Sequence, residues 1–193
     1  MRKYSTAALL ALTILMTGCV STMNKLADIG VVRVTESAFD KSTEVTISKT
    51  HNFSGDDYNT PSTQFSGYWT ESDKNHFKLI LEMHGSSGTR AYTDFKRIDF
   101  NFDGDIRSFN VGPTSLSDDG YNSVAGTIFT QSKAVAYLPI EVLDKMMNDP
   151  DVRIRVYTSD GYEDIIYHVG NSGLASYSKE MFKPFYDEIN KYR

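Results

Sequence analysis

The stretch RIDFNFDGDIRSFNV, residues 97–111, decides the fold class of this chain. Its first half alternates apolar and polar residues, which is the period-2 pattern of a strand with one buried face. The apolar members are Ile98, Phe100 and Phe102. Asp103-Gly104 follows at once, and this dipeptide favours the tight turn with positive φ that joins antiparallel strands. The stretch therefore predicts a β-hairpin and, with it, an antiparallel sheet.

Further strands are predicted outward from this hairpin. Residues 152–157 alternate in the same way before a turn at Ser159-Asp160-Gly161, residues 31–36 and 44–50 are rich in β-branched side chains, and residues 76–84 place Phe77, Leu79, Leu81 and Met83 on one face. β-Branched and alternating segments of this length fit half-buried strands. The chain is therefore expected to be mainly β.

Two short helices are predicted, the second at the carboxyl terminus. Pro139 suits the start of the first helix, and Asn148-Asp149-Pro150 ends it. Ser178 can cap the second, which should pack on the sheet through Met181, Phe185 and Ile189. Pro184 removes a helical hydrogen bond, so a kink there or a start near Lys183 is expected. The predicted fold is α+β: an antiparallel β-sandwich or half-open barrel with these two helices.

Composition excludes several classes of protein. The 193 residues contain 20 Lys and Arg against 25 Asp and Glu, a net charge of −5, and no basic cluster for neutralising phosphates. A nucleic-acid partner is therefore not expected. Hydrophobic residues make up 40 % of the chain, enough to bury a core and to exclude disorder. We expect residues 31–193 to form a single β-rich domain.

The amino terminus has the architecture of a signal peptide. Arg2 and Lys3 precede a ten-residue apolar run at residues 7–16, which is half of the roughly 20 residues that a spanning helix needs. A basic region, a short apolar run and then small residues are typical of an export signal that is removed. Residues 1–18 are therefore expected to be the signal peptide.

The end of this segment, Met16-Thr17-Gly18-Cys19, resembles the lipobox of bacterial lipoproteins. The resemblance implies cleavage before Cys19, a covalent lipid such as palmitate on that residue, and a lipidated tether over residues 19–30. Val20-Ser21 lack the Asp that retains such proteins in the inner membrane, which implies the outer membrane, facing the periplasm. Cys19 is the only cysteine, so no disulfide is expected. No cofactor besides the lipid is expected.

No segment carries a complete catalytic or metal-binding motif. Gly85-Ser86-Ser87-Gly88 misses G-x-S-x-G by one position, and none of the four histidines has H-E-x-x-H spacing. The acidic turn over residues 101–112 ends in Gly where a calcium loop needs Glu. These segments are interpreted as turns and solvated strands, and no metal or catalytic site is predicted.

Residues 52–75 concentrate aromatic residues in polar sequence. One interpretation places Phe65 and Trp69 in the core, on a strand over residues 64–70. The other makes Tyr58, Tyr68 and Trp69 an exposed surface that binds a partner, since such rings combine contact area with polar groups. The sequence thus favours a non-catalytic binding or structural module for an envelope protein or glycan. The alternative is an envelope hydrolase whose site lacks a local motif.

Overall fold

The computed structural model describes residues 27–50, 52–54, 57–61, 63–86, 92–124, 126–167 and 177–193, without the side chains of residues 53–61, 86, 119, 166 and 177. Cys19 and the expected signal peptide lie outside the described residues.

Two six-stranded sheets make up most of the described structure, and every strand pairing in them is antiparallel. In sheet A the order is β1 (Val32–Glu36), β2 (Thr43–Ile47), β5 (Gln64–Thr70), β6 (His76–Ser86), β10 (Thr127–Pro139) and β9 (Ser115–Asn122). In sheet B it is β4 (Asp57–Pro61), β3 (Phe53–Ser54), β12 (Gly161–Ile166), β11 (Val152–Thr158), β7 (Phe95–Phe102) and β8 (Asp105–Asn110). Helix α1 (Ile140–Asn148) follows β10, and helix α2 (Tyr177–Ile189) lies near the carboxyl terminus.

The two sheets are joined at one corner by the chain itself. After β8, Val111 forms a bridge with Ala136 of β10, and the Gly112 amide donates to the Val135 carbonyl at 2.8 Å. The chain then continues along the same edge of β10 as strand β9. This corner curls the sheets into a half-open barrel, which confirms the predicted fold class.

The turn between β7 and β8 is built as the sequence predicts. Asp103 and Gly104 have φ of 50° and 93°, the left-handed values that a two-residue hairpin turn of this kind requires. The side chain of Asn101 accepts a hydrogen bond from the Gly104 amide at 2.7 Å. The amide side chain of Asn101 thus stabilises the turn.

The core lies between the sheets and combines the inward positions of the alternating strands with apolar side chains of the two helices. Its largest fully buried side chains are Trp69, Tyr167, Phe65, Phe77, Phe100, Phe182 and Phe185.

One crossing between the sheets is held by a carboxylate. Thr63, just before β5, donates through its amide and hydroxyl to Glu163 of β12 at 3.1 and 2.7 Å. A polar group thereby satisfies the backbone where the chain passes from sheet B to sheet A.

For helix α2, the alternative of a start near Lys183 is wrong. The helix begins at Tyr177, six residues earlier and next to Ser178, and continues through Pro184. Phe182, Phe185 and Ile189 are fully buried against β2, β5 and α1, and this apolar burial offsets the hydrogen bond lost at proline. The packing prediction for Phe185 and Ile189 is confirmed, and Met181 is partly buried.

Ser178 does not cap this helix in the predicted way. It lies inside the helix, 1 % exposed, and its hydroxyl donates to the side-chain oxygen of Asn52. The Asn52 amide in turn donates to the Thr63 carbonyl at 2.5 Å. Ser178 therefore ties the start of α2 to the strand crossing beneath it.

Candidate functional site: the outer face of sheet A

The residues proposed from sequence as a binding surface separate in the structure. Tyr68 and Trp69 are neighbours on β5, so they point to opposite faces of the sheet. Trp69 is 0 % exposed and belongs to the core, while Tyr68 is half-buried on the outer face. The expected exposure of Trp69 is therefore wrong, and its core placement is confirmed. The side chain of Tyr58, on β4, lies outside the described residues.

Strand pairing places two further side chains beside Tyr68. The register pairs Tyr68 with Lys78 of β6, and Lys78 with Tyr137 of β10. The three residues form one row across three adjacent strands, which we call the tyrosine–lysine row. Its two tyrosines are two strand spacings apart, about 9.5 Å. Tyr137 is 51 % exposed, so the row is open to solvent on this side.

Tyr68 is oriented by its neighbours at the outer surface. Its hydroxyl donates to a Glu44 carboxylate oxygen at 3.0 Å, and the Lys78 ammonium lies 4.9 Å from its ring centroid. Partial burial, and then the hydrogen bond to Glu44, raise the pKa of the Tyr68 phenol. The phenol therefore stays protonated, and its ring carries a cation–π contact.

Tyr137 belongs to a polar cluster with Asp73 and His76. Its hydroxyl donates to one Asp73 oxygen, while the His76 Nδ1 lies 3.0 Å from the other. The imidazole stacks on the tyrosine ring with 4.6 Å between centroids. The hydrogen bonds from Tyr137 and then His76 lower the pKa of the Asp73 carboxyl, and the same bond to Asp73 raises the pKa of Tyr137.

The turn between β5 and β6 explains why Asp73 is within reach. It is a 3₁₀ turn over Glu71–Asp73, and the Thr70 hydroxyl accepts from the Ser72 amide at its start. Glu71 accepts a hydrogen bond from the Thr43 hydroxyl at 3.0 Å, which holds the turn against β2. The turn thus fixes a carboxylate at the end of the row.

Lys78 is the cation at the centre of this surface. In the part of the chain that the structure describes, no carboxylate lies within ion-pair distance of its ammonium, whereas the phenols on both sides donate to Glu44 and Asp73. The outer face therefore presents two aromatic rings and the Lys78 ammonium between them, with the Glu44 and Asp73 carboxylates bound to the two phenols. This arrangement can accept a carboxylate or hydroxyl group between two flat rings.

Sheet B carries a second aromatic surface that sequence analysis missed. Arg97 lies 4.0 Å over the ring of Tyr157, and Arg155 lies at the same distance over Tyr162. Arg155 also donates twice to Asp164, at 2.5 and 2.8 Å. The charge of Arg155 is thus paired within the sheet. We interpret this surface as a set of contacts that stabilises the sheet. In the sequence, this surface is indicated by the outward-facing residues of the alternating segment 153–157.

Chemical groups for catalysis or metal binding are sparse in the described residues. No group of three or more His, Cys, Asp and Glu side chains is placed to hold a metal ion there. His76 and His84 both have a carboxylate neighbour, Asp73 at 3.0 Å and Glu82 at 2.8 Å respectively. The register places them eight residues apart along β6, roughly 26 Å, so they act separately.

In the described residues, neither helix is long and apolar enough to cross a bilayer. Comparisons of the chain with protein-family models, curated proteins and solved structures find no match.

Proposed function

We propose that this chain is a non-catalytic binding module of the bacterial envelope, anchored by a lipid on Cys19 and holding a protein or glycan partner on the outer face of sheet A. The tyrosine–lysine row is the observation that carries the proposal. Tyrosine is enriched where binding energy concentrates, because it offers a large rigid contact area with a polar tip. Lys78, which has no ion-pair partner among the described residues, can pair with an acidic group of the partner.

The lipobox-like segment supports the anchoring part of the proposal. A thioether-linked diacylglycerol and an amine-linked acyl chain on Cys19 give more than one buried chain, and two chains hold a protein firmly where one does not. The absence of Asp after Cys19 supports the outer membrane, with the domain facing the periplasm. The partner would then be a component of that compartment.

Cross-linking in intact cells tests the binding surface. A photo-cross-linking amino acid replaces Val135, which is 38 % exposed and lies two residues before Tyr137 on the same face of β10. The matched control places it at Ile106, 63 % exposed on the outer face of sheet B. We expect capture at residue 135 and little at residue 106. A captured species that protease degrades is a protein, and one that muramidase dissolves is a glycan. Equal capture at both positions would refute the assignment to sheet A.

Affinity for the captured partner gives a second test. Tyr137→Ala should weaken binding by about 2 kcal/mol, roughly thirtyfold, if this ring is an anchor of the interface. Tyr162→Ala on sheet B is the matched control, since Tyr162 is 61 % exposed and should leave binding unchanged. Both variants should melt close to the parent chain. Unchanged binding by the Tyr137 variant would contradict the proposal.

The His76–Asp73 pair is the observation that favours a hydrolase as the second candidate. A carboxylate that orients an imidazole is half of a nucleophilic triad. In the described residues, no hydroxyl or thiol nucleophile is hydrogen-bonded to His76, which is stacked on Tyr137 instead. Hydrolysis of peptidoglycan, peptide or ester substrates that His76→Ala abolishes would establish the hydrolase and overturn the binding proposal.

A further inference from the structure

The hairpin between β9 and β10 ends in an apolar tip. We call residues 120–124 and 126–129 the hairpin tip, and they contain no charged side chain. Val124 at the turn is 97 % exposed, Tyr121 is 66 % exposed and Phe129 is 43 % exposed. Large apolar side chains grouped at a hairpin end without a charge among them mark a contact site, because water is a poor solvent for them.

The tip presents apolar side chains on both of its faces. Phe129 pairs with Gly120 and Ile128 pairs with Tyr121, so Phe129 and Tyr121 point to opposite sides of the hairpin. Gly120 gives Phe129 no side chain to pack on, and nothing lies within 4 Å of where a Cβ of Gly120 would be. A two-sided apolar tip fits a surrounding apolar medium better than a single flat partner.

The strand order makes the start of β1 point in the same direction as this tip. Strand β1 is antiparallel to β2, β2 to β5, β5 to β6 and β6 to β10. Strands β1 and β10 therefore run in the same direction. Through these pairings Val32, the first residue of β1, lies in the row of Ala136, seven residues or about 23 Å from Phe129. The chain that precedes β1 leads back toward Cys19, which is eight residues before Ala27 and at most about 28 Å from it.

The two ends of sheet A differ in charge. At the end opposite the tip, the β1–β2 and β5–β6 connections carry charged residues, namely Asp40, Lys41, Glu71, Asp73 and Lys74. These side chains need water, whereas the hairpin tip has none to keep hydrated. Asp118 pairs with Thr130, the residue that follows Phe129, so the tip can enter a lipid surface only as far as Phe129.

From these observations we infer that the hairpin tip inserts into the lipid surface that holds the acyl chains of Cys19; this rests on the proposed anchoring. Val124 at the turn enters the acyl boundary, some 5–10 Å deep as for other interfacial segments, and the rings of Tyr121 and Phe129, which are farther from the turn, lie at the headgroup level. Tyr137 is eight residues from Phe129 along β10, about 27 Å. The tyrosine–lysine row thus stands well above the membrane and meets a partner that reaches that height.

A probe in the intact lipoprotein tests the insertion. Cys19 is the only cysteine and its sulfur is blocked when lipidated, so Val124→Cys supplies the one free thiol for an environment-sensitive fluorophore. The matched control is Phe39→Cys, because Phe39 is 101 % exposed and lies in the β1–β2 turn at the opposite end. Each protein is reconstituted in vesicles of phosphatidylethanolamine and phosphatidylglycerol with spin-labelled acyl chains.

The expected result is a blue-shifted emission and loss of intensity at residue 124, with neither change at residue 39. Equal signals at both positions would overturn the inference, as would Val124→Cys cross-links between two copies that persist in vesicles, since a second copy would then cover the tip. The anchor is tested separately: the parent chain takes up no thiol reagent if Cys19 is lipidated, and one equivalent if it is not. Failure of the anchor is thus distinguished from failure of the tip.

Discussion

Gly67 of β5 lies directly beneath the ring of Phe185 of α2. A Cβ at residue 67 would be 3.1 Å from two carbons of that ring and 3.0 Å from a methyl carbon of Ile47. The absent side chain therefore sets how closely the carboxyl-terminal helix approaches sheet A.

Gly67→Ala should destabilise the fold by about 1–3 kcal/mol, because the added methyl group overpacks a fully buried contact. Urea unfolding measures the change. In a Phe185→Leu background the smaller side chain leaves room, so the same substitution should cost less, and the two changes should be coupled. An identical cost in both backgrounds would show that the helix does not press on Gly67.

Trp69→Ala should lower the free energy of unfolding by about 3–5 kcal/mol, the usual cost of emptying a large aromatic site in a core. Tyr68→Phe is the matched neighbour on the outer face. It removes only the hydrogen bond to Glu44 and should cost about 1 kcal/mol or less. The measurement is chemical denaturation of both variants, and similar losses would contradict the opposite placement of the two rings.

Tyr167→Phe should leave stability unchanged or raise it slightly. Tyr167 is 1 % exposed, and in the described residues its hydroxyl donates only to the Met147 sulfur, a weak acceptor, at 3.6 Å. Burial raises the pKa of this phenol well above its ordinary value, so it should ionise only when the chain unfolds. Spectrophotometric pH titration of the variant and the parent checks this. If the variant lacks a phenol ionisation that the folded parent shows near the ordinary tyrosine pKa, Tyr167 is accessible to solvent.

Asp144→Asn should weaken the fold at neutral pH by about 1 kcal/mol or less, since solvent screens part of the ion pair with Arg193. Arg193 donates to both Asp144 oxygens, at 2.8 and 3.0 Å, and this lowers the pKa of the carboxyl. A lowered folded-state pKa means that the stabilisation is present above the ordinary pKa of Asp, about 3.9, and is lost as pH falls through the lowered value.

The check for this pair is a series of melting curves from pH 7 down to pH 2. The parent and the Asp144 variant should converge at the acid end. Asp187→Asn serves as the control, because the Lys183–Asp187 pair on α2 is more exposed and should contribute little at any pH. A gap between parent and variant that persists at pH 2 would assign the effect to packing instead of charge.

Much of the fold follows from local patterns, as the two hairpins that turn at Asp103-Gly104 and at Asp160-Gly161 show. The longest strand, β10, was not predicted. Most of its inward-facing residues are small or polar. These are Thr130, Ser132, Ala134 and Ala136, and all four are buried. A period-2 signal depends on contrast in hydrophobicity, and these residues supply little. Pairing with β6 and β9 on either side makes this segment a strand.

The candidate site was predicted only at Tyr68. Its other members come from positions that look ordinary in the sequence: Lys78 and His76 belong to the polar half of an alternating strand, and Tyr137 lies on β10. Their proximity depends on the pairing of Tyr68 with Lys78 and of Lys78 with Tyr137. Register between separate strands is set by tertiary packing, so local sequence does not encode the row.

The pairing of β3 with β12 has a kinetic consequence. Phe53 is paired with Ile166, and Thr63 is held by Glu163, a hundred residues further along the chain. Sheet B therefore cannot be completed until nearly all of the chain is available, and topologies with such distant contacts close slowly, on the scale of ms to s. A nascent chain of this kind remains open during its synthesis, which suits the export step that the proposed lipid anchor requires.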